Sequence, residues 1–281
     1  MPISTLTSLR ILQIRVFARF LTLLGQTPGG TRRIALCRNS ALLSPALRFL
    51  LGYQRSFPTY ADAKACGARY ISSGHEHADN LRVHAEFANV IRESDYPPLY
   101  FLTPIAASLR SVFDLGGSVG NLFYAYDQEL HFPQSLRWTV YDLPEQIQKG
   151  RELAAERHES RLQFTNSMAD ASGVDLFITS GSLHYFETPL FEMLRSLPAL
   201  PARVLVNRAP FSKGSDLFTI QDNWTYMVPC KLHSKEQLVV GMHEIGYTLR
   251  AEWPVYERKL WVPDYPDLSW YHGFGFYFER D

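Results

Sequence analysis

From about residue 110 the chain alternates short apolar runs with longer stretches of mixed polarity. The runs "SVFDL" (111–115), "RWTVYD" (137–142), "LQF" (162–164), "VDLFITS" (174–180) and "ARVLVNR" (202–208) predict five strands. The fourth is almost continuously apolar, as strands buried on both faces of a parallel sheet are. Helices are predicted from about Asn121, from Pro144 to about Arg157, over 189–197 and over about 234–245. Pro144 and Glu145 suit a first helical turn, where a missing N–H costs nothing and an acid meets the positive end of the dipole. Beyond the last helix lie "GYTLRAEWPV" (246–255) and "GFGFYFER" (273–280). Such alternation predicts an α/β fold, a parallel sheet with helices on both faces, which binds ligands outside the carboxyl ends of its strands.

The pattern differs upstream. Residues 59–92 read as helical segments broken around Gly67 and Gly74, and "YPPLYFLTP" (96–104) then punctuates, since two prolines cannot continue a helix. Three regions are expected: an N-terminal extension (1–56), a helical lead-in (57–105) and the α/β domain (106–281). With 46% hydrophobic residues in 281, the chain has the composition of a globular protein. Net charge is zero but uneven. Eight arginines, no lysine and no acid precede Asp62, so residues 1–61 carry +8 and the remainder −8. No uncharged apolar run approaches the roughly 18–20 residues that span a bilayer. Arg15 and Arg19 interrupt any secretory apolar core, and an organelle transit segment would read similarly. At helical spacing Arg10 falls roughly opposite Arg19, so the arginines do not share one face. Two readings of residues 1–55 stay open: an appendage packing on its own domain or a partner, and peripheral contact with an anionic membrane. Nucleic acid is not an expected partner, because the stretch lacks lysine and any recognisable binding module. Cys37, Cys66 and Cys230 are isolated, which suits reduced cytoplasmic thiols and no structural metal.

"VFDLGGSVG" (112–120) concentrates three glycines directly after the first α/β strand. Glycine inside regular structure costs roughly 0.5–1 kcal/mol, so the backbone there either turns tightly or is approached closely. A dinucleotide site wants G-x-G-x-x-G and an acid about 20 residues on. Asp142 stands 22 residues after Gly120, but no third glycine follows in the helix. The sequence D-x-G-x-x-x-G, Asp114 to Gly120, resembles instead the first motif of class I S-adenosylmethionine-dependent methyltransferases, with Ser118 where that motif usually has its middle glycine. "VYDLPEQI" around Asp142 is similar to the D-L-P that follows the second strand in many small-molecule O-methyltransferases. "FPTYADA", "FDLGGSVG", "ITSGSLHYFETP", "VNRAPFSKGSDLFTIQ" and the late "GYTL" together resemble, from about residue 57 onward, bacterial methyltransferases of surface-polysaccharide or other specialised biosynthesis.

The resemblance implies a Rossmann-like sheet whose last strand is antiparallel, with S-adenosylmethionine as cofactor. It implies that Asp114 reaches the cofactor's amino group, that Gly116, Gly117, Ser118 and Gly120 wrap its methionine part, and that Asp142 takes the ribose hydroxyls. Ser180, ending the fourth strand, joins that set, and Asp170 is placed to receive the adenine amino group. His184 matches the general base of small-molecule O-methyltransferases; otherwise it packs beside the cofactor. Arg208 and Gln221 fall where an acceptor would sit, although Arg208 could equally brace Asp216 or a helix end. His75 and His77 with His84 and Asp79 form an incomplete ligand set and read as a solvated helix surface. The aromatics of 261–278 are core or an acceptor wall. Three functions follow: a methyltransferase acting on oxygen of a small-molecule or glycan-type acceptor, an NAD(P)-dependent oxidoreductase, and a non-catalytic scaffold.

Overall fold

Burial along each strand tells its place in the sheet. In the computed structural model, which describes residues 27–30, 33, 53–68, 90–222, 227–260 and 271–280, β2 (Ser111–Leu115) has four consecutive buried residues and β5 (Leu176–Ser180) likewise. Both lie inside the sheet. β3 (Arg137–Tyr141) and β4 (Leu162–Thr165) alternate buried with more open positions and lie toward one edge. Parallel pairing joins β4 to β3, β3 to β2, β2 to β5, and β5 to β6 (Arg203–Ala209). β11 (Tyr271–Arg280) then runs antiparallel to β6, and β10 (Tyr247–Leu260) completes the order β10-β11-β6-β5-β2-β3-β4. The order reverses between β2 and β5, which is the switch point where such sheets open a crevice at their carboxyl edge. This is a Rossmann-like α/β sheet, parallel except for the expected antiparallel last strand.

Side chains of successive strand residues enter opposite layers. Val112, Trp138, Val140, Ile178 and Leu205 pack with Phe123 and Tyr126 of α3 (Asn121–Leu130) on one face. Phe113, Phe177, Val204 and Val206 pack on the other, against Leu190 and Leu194 of α5 (Leu190–Arg195) and Leu238 and Met242 of α6 (Lys235–Glu244). α4 (Pro144–Glu156) opens on the expected proline, and Ser234 caps α6 by accepting from the Gln237 amide at 3.2 Å.

These elements belong to a unit of Gly74–Asp216, Lys231–Lys259 and His272–Asp281. The second unit comprises Met1–Ser73, Leu217–Cys230 and Leu260–Tyr271. In it β1 (Tyr53–Phe57) pairs antiparallel with β8 (Leu217–Asp222), and α1 (Tyr60–Ala68) packs Ala63 and Cys66 on Ile220 and Phe57. β1, β8, β9 (Met227–Ser234) and β7 (Phe211–Ser212) form a small sheet that the apolar pattern had not suggested. Its signal was strand-like alternation: Val228, Cys230 and Leu232 are buried at a spacing of two.

Proline gave the other correction. Tyr96–Leu102, expected to be a break, is a helix, α2, with Pro97 and Pro98 in its first turn. Proline there removes only N–H groups that have no intrahelical acceptor, so two in succession open a helix they could not continue. α1 likewise runs through Gly67. The histidines at 75, 77 and 84, Asp79, most of the arginine-rich extension and the aromatics of 261–270 lie outside the described residues. Among the described residues no helix is long and apolar enough to cross a membrane, and no cluster of three metal-ligating side chains occurs.

Candidate active site

The turn leaving β2 is held in a conformation few side chains tolerate. Gly116, Ser118 and Gly120 all have positive φ, at 71°, 57° and 92°. Such a conformation in a non-glycine residue costs of order 1–3 kcal/mol unless its surroundings hold it. Ser118 is held twice: its amide donates to Asp142 Oδ2 at 2.8 Å and its hydroxyl to Gln146 Oε1 at 3.1 Å. Gly117 is required for a different reason, since a Cβ there would overlap the Asp114 carboxylate. One added at Gly116 would overlap the Ser182 side chain, whose hydroxyl donates to Leu115 O.

Asp114 lies fully buried beneath this turn. Trp138 Nε1 donates to its Oδ2 at 3.2 Å, while Oδ1 is buried with no hydrogen-bond partner. Burial pushes the carboxyl up to about 7, against the Trp138 hydrogen bond; the Asp142 charge adds to the rise and Arg208 opposes it. A buried acceptor without a donor costs about 1–3 kcal/mol, so Oδ1 is placed to meet a cationic or N–H-bearing ligand. Asp142, half-buried, also titrates above its usual range because of burial, although the Leu143 amide (2.7 Å) and the Ser118 amide each donate to one of its oxygens. Each oxygen keeps a second lone pair, which suits a pair of hydroxyls.

The amides of Gly116, Ser118, Gly120 and Asn121 are all used within the turn, on Tyr141 O, Asp142 and Gly117 O. A pyrophosphate needs such N–H groups free and would also face two carboxylates.

Across the switch point, Arg208, the next-to-last residue of β6, has φ 53°. Its Nε donates to Ser180 Oγ at 2.9 Å and Nη1 lies 3.4 Å from Asp95 Oδ2, so of the two expected partners the arginine braces a helix end, the residue that opens α2, and not Asp216. Asp216 instead pairs with Lys231 at 2.9 Å. Asp95, just before α2, is 1% exposed and also accepts from Tyr126 OH (2.9 Å), the Arg92 amide (3.0 Å) and Asn207 Nδ2 (3.4 Å). The sequence reading missed Asp95, Ser182 and Gln146. For Asp95 a signal was available: an acid before two prolines is how a helix begins.

His184 sits buried in the single turn Leu183–Tyr185 after β5, its ring 4.0 Å from that of Tyr185. Lys231 Nζ and His233 Nε2 meet the carbonyls of Glu187 and Phe186 at 2.9 and 3.0 Å, fastening the segment that follows. Asp170 stands exposed in the turn Met168–Ala171 after β4, with no side-chain hydrogen bond to the glycine turn. Gln221 is buried on β8, in the unit built on β1 and β8. The structure thus gathers Asp114, Gly116, Gly117, Ser118, Gly120 and Asp142 at one edge and links Ser180 to Arg208.

No family model matches the chain, and neither does any curated protein. Among solved structures, the chain is similar to the 1,6-didemethyltoxoflavin-N1-methyltransferase of Burkholderia thailandensis, solved with 1,6-didemethyltoxoflavin and S-adenosylhomocysteine. The identity is 16% over 80% of this chain and 91% of that one, at a TM-score of 0.48. An O-methyltransferase of neocarzinostatin biosynthesis, solved with S-adenosylhomocysteine and 1,4-dihydroxy-2-naphthoic acid, is similar at 21% identity over 91% of this chain and 75% of that one, TM-score 0.46. The magnesium protoporphyrin IX methyltransferase of Synechocystis is similar at 12% identity over 79% and 96% of the two chains, TM-score 0.45.

Proposed function

We propose that this chain is an S-adenosylmethionine-dependent methyltransferase acting on a hydroxyl of a small-molecule acceptor. The observation that carries the reading is Asp114 Oδ1, a buried acceptor left without a donor beneath a turn that engages the amides of Gly116, Ser118, Gly120 and Asn121 internally. The residues fit that cofactor. Asp114 would face its ammonium, Gly116 to Gly120 would lie along its methionine part, and Asp142 would hold the ribose diol with its two spare lone pairs. When bound, the cofactor supplies a methyl group on a positively charged sulfur. The protein's part is mainly alignment of acceptor oxygen, methyl and sulfur. His184 would take the acceptor's proton as the new carbon–oxygen bond forms, a general-base role open to a positioned imidazole.

A nicotinamide enzyme is disfavoured by two features: the two carboxylates, Asp114 and Asp142, that a pyrophosphate on this turn would face, and the antiparallel β11 where dinucleotide folds continue in parallel. Calorimetric titration tests the assignment. S-adenosylhomocysteine should bind stoichiometrically and NAD should give no heat; the reverse result would overturn it.

A further inference from the structure

Asp114 on β2 pairs with Ile178 of β5, and Arg208 on β6 reaches the end of that same β5, where its Nε donates to Ser180 Oγ at 2.9 Å; the arginine's charge opposes the rise in the carboxyl's pKa. An orphaned carboxylate oxygen and a guanidinium therefore stand on the two strands that flank β5, β2 on one side and β6 on the other. Arg208 is held for a purpose beyond packing. Its backbone is in the left-handed region, and only Nε and Nη1 have partners among the described residues. Asp95 does not quench it, because that carboxylate is shared among four donors and meets Arg208 at 3.4 Å, longer than its bonds to Tyr126 and Arg92. The remaining guanidinium donors can form the forked pair that carboxylates prefer.

We propose that Arg208, posed by Ser180 and by Asp95 as a positioning residue, receives the α-carboxylate of an amino-acid ligand whose ammonium meets Asp114. The inference rests on the reading of the site as one for S-adenosylmethionine, whose methionine end is such a zwitterion. A negative and a positive group on facing strand ends then recognise both charges of one ligand terminus. This makes the site selective for the intact amino acid over any nucleoside thioether that lacks it.

The probes are S-adenosylhomocysteine and its decarboxylated analogue, titrated into the full chain. Wild type should prefer the intact compound by about 10–100-fold, the range of one forked charge-assisted pair. Arg208→Gln should bind both compounds within about threefold of each other, with the analogue's own affinity retained. Arg208→Lys should recover part of the preference. Asp95→Asn should lower the preference severalfold without abolishing binding, a ratio that a loss of fold alone would not change. Equal binding of the two compounds by wild type, or an undiminished preference in Arg208→Gln, overturns the inference while leaving the cofactor assignment standing. Failure of wild type to bind S-adenosylhomocysteine at all removes both.

Discussion

The two edges of the seven-stranded sheet treat their carboxylates in opposite ways. At the amino edge, Arg161 precedes β4 and forks onto Asp127, at 2.9 and 2.7 Å, while gripping Glu159 at 2.9 and 2.6 Å. It donates as well to Phe132 O and stacks over the Phe123 ring. Hydrogen bonds from Arg161 hold Glu159 below its usual range. At the carboxyl edge, Asp114 and Asp142 have no ion pair of their own, the Arg208 charge only partly opposing the rise at Asp114, and both are pushed up by burial. One edge, the amino one, has a buried guanidinium that holds two carboxylates together and serves stability. The other leaves charge unmatched, as sites that must bind something do.

Arg161→Ala gives the largest expected effect. Removing the one cation leaves two partly buried carboxylates facing each other, at a cost of about 3–5 kcal/mol. Urea unfolding should show that loss, while the folded fraction still binds S-adenosylhomocysteine with unchanged affinity. A loss of affinity in the folded fraction would mean the two edges are not separable.

His184→Ala should have the converse signature, a fall in turnover of about 10²–10⁴ at unchanged cofactor affinity. Transfer of labelled methyl from S-adenosylmethionine into a small-molecule extract reads this, and undiminished transfer would exclude the histidine from proton removal.

The pH dependences of the two edges should be opposite in sign. The folded-state pKa of Asp114 stands above its ordinary 3.8, so the stability it contributes is complete below that value and is lost as pH rises toward about 7. Glu159 is depressed from 4.5, so its contribution is present above that value and is lost on acidification. Asp114→Asn should remove the loss on the alkaline side, up to about 4 kcal/mol, seen as a gain over wild type at pH 8 relative to pH 5. Cofactor affinity, which needs the ionised carboxylate, should climb about tenfold per pH unit below 7 in wild type and stay flat in the variant. A flat wild-type profile would place the ligand's ammonium elsewhere.

Most of the sheet was legible in the sequence because its strands are short apolar runs separated by helices with clear starts. The glycine turn and Asp142 were legible too, since backbone freedom after a strand and an acid after the next are local features. What escaped depends on contacts distant in sequence. Asp95 meets Arg208 across 113 residues, and Ser182 meets the Leu115 carbonyl across 67. No spacing rule reports such pairs. The small sheet of β1, β8, β9 and β7 escaped for another reason, because β1 and β8 meet from opposite ends of the chain.

Trp138 carries a consequence of its own. Its indole N–H is given to the same carboxylate whose protonation the ligand would change, and the ring is wholly shielded from water. The excited state of an indole is sensitive to charge at its nitrogen, so the protein holds an optical gauge of the Asp114 proton, wired in by one hydrogen bond and readable without any label.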